Sequence, residues 1–398
     1  KAMLQTWLCH IPLGWDAQWC IKSEKTRFKH QRPQTKRKLF SKLTGEIQMG
    51  QKYDTKAAFW DIHNNTKPGP ERTAAYIKAI KEADESGDPY ARMHMRANMA
   101  VFTPFYDDAV KILPVCAEFF AIAEEYPEAA SMDDIFTTAR EAANLSIIVP
   151  QLELQVCEKM FKNMENAAII LKHGAIKRLH MIGTEFYTYV DLQKAQEHYS
   201  IFNKERGGSY SACNACEKHV KVWYHMKKGD TELADEMAQR IFKRGLECHD
   251  IPWQTYALFL EHYMDTGTIY EHKDFIDKLI RGGCRDVSDL ANVGTVLRCL
   301  AHTNPVKGLK LLQQYWRYSI NLWNQQALYF FYKGAWRCCE AVDGRGLSLY
   351  PPEGFKEDIP SRDPGFFGKW FHNEAIKIAK SFDKRNGTDF YMKDLSRA

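Results

Sequence analysis

No apolar run in this 398-residue chain approaches the ~18–20 residues that span a bilayer; Ala167-Ala168-Ile169-Ile170-Leu171 typifies the longest. Strand-like alternation of apolar and polar residues is nearly absent, which leaves an all-α reading. The motifs of enzyme chemistry are missing too. There is no P-loop, no strand-borne Gly-x-Gly-x-x-Gly, no His-Glu-x-x-His and no nucleophile elbow. Residues 1–10 lack the apolar core and small-residue cleavage site of a signal peptide. The 11 cysteines, an odd number scattered among helical segments, do not suit a secreted disulfide framework. These absences lead to the expectation of a cytoplasmic, non-catalytic protein with no membrane association.

What is present is an ordinary folded composition, 45% apolar and 26% charged, long enough to bury about three quarters of its unfolded surface without metal or disulfides. The formal charge of +5 is unevenly placed. Residues 1–67 hold 13 Lys and Arg against 5 Asp and Glu, so the remaining chain is slightly acidic. The sequence therefore divides into a basic segment at 1–67, a helical body at 68–342, a Gly, Pro and charge-rich loop at 343–365, and a C-terminal helix and tail at 366–398. In the basic segment Arg32, Lys36, Arg37 and Lys38 are the candidates for neutralising phosphates. Trp7, Trp15 and Trp19 precede them and could stack on bases. The plainer alternative is a leader whose charge is simply solvated. Nucleic acid is thus a partner only through residues 1–67.

The body repeats. Aligned on Val190, Gly229, Gly267 and Thr303, four turns are spaced by 39, 38 and 36 residues, which fits stacked two-helix units. In the first unit Leu179, Ile182, Gly183, Phe186, Ala195 and Tyr199 carry the large and small residues that let two helices pack closely. This pattern resembles the tetratricopeptide repeat. The later units match it more loosely, one of them with His272 where a small residue is expected. Together with Ser211-Ala212-Cys213-Asn214-Ala215-Cys216-Glu217, Cys248-His249-Asp250-Ile251-Pro252 and Phe382-Asp383-Lys384-Arg385-Asn386-Gly387, residues 68–395 also resemble bacterial cytoplasmic tetratricopeptide-type proteins of poorly defined function. The resemblance implies a right-handed α-solenoid of helix hairpins with a C-terminal capping helix. It also implies a concave groove lined by the first helix of each unit, a protein or peptide partner, and a scaffold role open to regulation by a bound peptide.

Carried onto this sequence, that geometry turns Lys177, His180, Thr184 and Tyr187 inward from the first unit, then Cys216, His219, Trp223 and Met226, then Gln254, Ala257, Glu261 and Met264. Mixed aromatic, Met and polar side chains suit an adaptable peptide surface. The fourth set, Leu290, Val293, Leu297 and Leu300, is wholly apolar and is expected to pack under the C-terminal helix.

The sharpest local chemistry is Cys213-x-x-Cys216 with Cys248. In an antiparallel hairpin the start of the first helix and the end of the second share one end, so the three thiols converge. With His249, His219 or Cys284 as a fourth ligand they would suit a structural zinc ion. A buried or reducible thiol cluster is the alternative. A zinc-dependent enzyme would further require an open metal position beside a polar pocket.

Overall fold

The computed structural model describes residues 53–102, 111–358 and 360–397, and of Arg244 the backbone. Arg32, Lys36, Arg37 and Lys38 lie outside the described residues, so the nucleic-acid alternative is not addressed by the fold. The described residues form seventeen α-helices and no strand. None of these helices is long and apolar enough to cross a membrane.

Helix α1 (Thr55–Asn65) packs on α2 (Pro70–Ser86) and α3 (Pro89–Phe102). It lies inside the basic segment, yet Ile62 is buried with Tyr76, Ile80 and Met95, so the packed structure begins before residue 68. Helices α4 (Ile112–Glu125), α5 (Met132–Ile148) and α6 (Leu154–Leu171) follow.

The four aligned turns each join two helices: α7 (Ala175–Thr188) to α8 (Leu192–Lys204), α9 (Asn214–Lys228) to α10 (Thr231–Arg244), α11 (Trp253–Asp265) to α12 (Lys273–Gly282), and α13 (Leu290–Thr303) to α14 (Pro305–Tyr315). Local chemistry sets the breaks. The Asp191 carboxylate accepts from the backbone N–H of Gln193 and Lys194 to start α8. Gly229 takes a φ of 93° to stop α9. Asn304 caps α14, whose first residue is Pro305. The small-residue rule holds at Gly183, where a Cβ would collide with the His198 ring. At His272 packing takes another form, since its flat ring stacks on Tyr263 with centroids 3.5 Å apart.

Helices α15 (Gln325–Glu340), α16 (Pro364–Asn386) and α17 (Phe390–Ser396) complete the chain, with residues 341–363 as the expected loop between the first two. Contacts run from α5 to α7, α9, α11, α13 and α15, and α15 returns to α5. Six inner helices thus close a circuit. The apolar set Leu290, Val293, Leu297 and Leu300 is buried, and the helix packed most closely on α13 is α15 instead of the C-terminal helix. Glycines explain that closeness. A Cβ on Gly294 would stand 2.2 Å from the Phe330 carbonyl oxygen, and one on Gly334 would meet the Gly294 carbonyl.

The C-terminal helix packs on α15, the last inner helix, and its last turn crosses to the beginning of the circuit. The Arg385 guanidinium donates to the carbonyl oxygens of Ser146, at 2.5 Å, and Val149, at 3.1 Å, where α5 ends. The Asn386 amide and the Thr388 hydroxyl donate to the Tyr189 carbonyl at 3.2 and 3.4 Å. Asp383 holds α17 in place by accepting the Tyr391 and Met392 N–H groups, both at 2.9 Å.

Two substitutions test this packing. Arg385→Met keeps an apolar stem but strands buried carbonyls, and should lower unfolding free energy by about 3 kcal/mol in a denaturant titration. Gly294→Ala should cost about 1–3 kcal/mol through forced separation of α13 and α15. Wild-type stability in either variant would refute the close approach it probes.

Candidate functional site: a cavity inside the helical circuit

The inner helices surround a cavity of about 900 Å³, at the upper end of the range for small-molecule and short-peptide sites. Its wall takes residues from every inner helix, from Asn144 on α5 to Phe330 on α15, and further ones from α1, α2 and the segment before α15. Trp223, Tyr189, Trp323 and Phe330 supply aromatic surface.

Of the groove residues read from sequence, Cys216, His219, Trp223, Gln254, Ala257 and Glu261 line this cavity, and Lys177, His180, Thr184, Tyr187, Met226 and Met264 do not. Lys177 pairs with Glu217 at 2.7 Å, tying α7 to α9. His180 shares a 3.0 Å hydrogen bond with His198 on α8. Thr184 is fully buried and donates to the His180 carbonyl. Tyr187 stacks on His198, and Met226 packs into the core. The cavity face of α7 is instead Arg178, Met181, Ile182 and Glu185. Helix α7 is buried on nearly every side, between α5, α6, α8 and α9, so apolar periodicity does not distinguish its cavity face. The usable signal was the charged pair Arg178 and Glu185, seven residues apart on one face of the helix.

The electrostatics of the wall are uneven. Burial pushes the Glu185 carboxyl up to about 7, with Arg178 offsetting part of the effect. Burial likewise lowers His219 to about 4; this ring shares a 3.0 Å hydrogen bond with the Thr255 hydroxyl and is neutral at pH 7. Burial acts to raise Glu261 as well, but Lys333 and Arg298 outweigh it and hold that carboxyl below its ordinary range. Arg298, nearly inaccessible to solvent, bonds Glu261 at 2.5 Å and Asp265 at 2.9 Å. Lys333, equally enclosed, reaches Asp394 at 3.0 Å and Glu261 at 3.5 Å. Sequence reasoning missed both cations because each sits among apolar residues on a helix that looks purely structural. Asn144 was missed as well. It lines the cavity at 7% exposure, and its amide nitrogen has no hydrogen-bond partner.

The three cysteines meet where the antiparallel hairpin places them. Cys213 and Cys216 sulfurs are 3.2 Å apart, Cys216 and Cys248 3.5 Å, and all three lie within 4.8 Å of one another. Cys213 caps α9, its sulfur accepting the Cys216 N–H at 3.4 Å. Hydrogen bonds from Cys216 and Cys248 pull the Cys213 thiol well below the ordinary range, while Cys216 is pushed up in return. None of the anticipated fourth ligands joins them. His249 turns to Asp250 at 3.0 Å, His219 to Thr255, and Cys284 is buried apart.

No family model matches the chain, and no curated protein or solved structure compared with it gives a significant match.

Glu185 gives the site a pH signature. Below about pH 4.5 the carboxyl is protonated in folded and unfolded chains alike and contributes nothing. Between about 4.5 and 7 only the folded chain holds the proton, so stability falls as pH rises, and the full penalty persists above 7. Glu185→Gln should therefore raise stability at pH 8 by about 2 kcal/mol and flatten the pH dependence between 5 and 7. An unchanged stability–pH profile would show that Glu185 is not held in a desolvated wall.

Proposed function

We propose that this protein is a non-catalytic scaffold that binds a short peptide segment in its central cavity. The observation that carries the reading is a cavity of about 900 Å³ whose wall mixes Trp223, Tyr189 and Phe330 with single charged groups of both signs. Aromatic anchors supply contact area at low entropic cost, and mixed charges suit a ligand that carries both amide donors and carbonyl acceptors. The Asn144 amide adds a buried donor for which a peptide carbonyl is the matching acceptor.

In this reading the hairpins from α7 to α14 are tetratricopeptide-like units wound in a right-handed α-solenoid, as the resemblance of the first unit implies. The protein works in the cytoplasm, in line with its free cysteines, and peptide occupancy regulates what the outer helices bind. Closure of the circuit supports a short segment or a chain end over a long strand running through.

The test is a peptide library displayed against the purified full chain, followed by titration of the peptides recovered. Trp223→Ala and Phe330→Ala should each weaken binding tenfold or more. Leu192→Ala, on the outer surface at 60% exposure, should leave it unchanged. Full affinity retained by both cavity variants would remove the cavity as the binding surface.

A further inference from the structure

Cys213, Cys216 and Cys248 are more closely grouped than burial alone requires. The other six free cysteines of the described residues are all buried. Among the described residues only these three bring sulfurs together from two segments 32 residues apart, and two of them are half-exposed. No pair stands at the ~2.05 Å of a disulfide. Three sulfurs each ~2.3 Å from a tetrahedral zinc ion are about 3.8 Å apart, a spacing that the 3.2 and 3.5 Å pairs reach by opening about 0.6 and 0.3 Å, with all three sulfurs already within 4.8 Å of one another.

The surroundings fit a metal thiolate. The sulfurs sit at the first turn of α9, where the helix dipole favours negative charge, and a backbone N–H already points at the Cys213 sulfur. Among the described residues no fourth His, Cys, Asp or Glu brings a ligand atom into the group. Cys216 also lines the cavity, as do His249, Asp250 and Ile251 just beyond Cys248. A closed structural site has four protein ligands, whereas three leave a position for an incoming donor.

We propose that Cys213, Cys216 and Cys248 hold one zinc ion as thiolates at the cavity wall, with the fourth coordination position open to an exchangeable ligand. Binding releases the thiol protons to solvent, and no electron is transferred. The ion gives the wall a fixed attachment point for a thiolate, imidazole or carboxylate group that enters the cavity. The inference goes beyond peptide binding and does not depend on it.

Cobalt(II) titration of the reduced, metal-free full chain under anaerobic conditions reads both halves of the proposal. One equivalent should saturate the sulfur-to-metal charge-transfer bands, and zinc should bleach them. Cys248→Ser should weaken uptake at least tenfold while helicity by circular dichroism is retained. Added imidazole or 2-mercaptoethanol should then shift the ligand-field bands of the wild-type complex. Absence of a saturable one-equivalent spectrum in the wild-type chain overturns the site, whatever the variant does. A saturable spectrum that neither added ligand shifts overturns the open position. Because metal uptake is measured without peptide, zinc binding by a chain that captures no peptide would refute only the peptide reading.

Discussion

One half-buried cation ties the end of the C-terminal helix to the start of the circuit. Arg385 reaches 239 residues back along the chain to Ser146, and its guanidinium occupies carbonyls that the last turn of α5 leaves without helical partners. The site suits a cation, because a helix C-terminus carries partial negative charge. The side chain lies within reach of the Phe186 and Phe382 rings, each 5.4 Å from its guanidinium carbon. Burial draws its pKa down, so the hydrogen bonds and rings must offset the cost of removing the charge from water. That contact joins the last turn of α16 to the end of α5, beside the packing of α15 on α5 that closes the circuit.

A second enclosed charge system supports the far wall. Glu261, Arg298, Lys333 and Asp394 come from α11, α13, α15 and α17, so one charge network joins four helices. Buried ion pairs contribute little net stability, but removing one member leaves its partner unpaired in a poor solvent for charge. The network therefore fixes relative position more than it adds free energy. Tyr329 extends it, donating to Asp394 at 2.7 Å. The Gly294 and Gly334 contact brings α13 and α15 close enough for these long side chains to meet.

Much of this was legible in the sequence, and the failures have a common cause. Helix periodicity, capping residues and turn glycines are local signals, so the helical character of the body, the four aligned turns and the loop after α15 could be read, whereas α1 inside the basic segment and α17 in the tail could not. Antiparallel hairpin geometry is nearly as local, and it sufficed to bring Cys213 and Cys216 beside Cys248. The inward register worked on α9, where Cys216, His219 and Trp223 line the cavity, and failed on α7, where neighbours on nearly every side erase the contrast between faces. Ring closure was out of reach. The motif containing Asp383, Arg385, Asn386 and Gly387 stood out in sequence, yet its partners lie some two hundred residues away, and no periodicity connects them.

Closure also bears on how such a chain can change over evolutionary time. An open repeat array tolerates duplication, because one more hairpin only lengthens it. Here an added unit would have to enter a circuit whose ends are joined by Arg385 and by the Tyr189 carbonyl. The extra rotation would pull those ends apart. Insertion of a hairpin therefore carries a cost here that an open array does not impose.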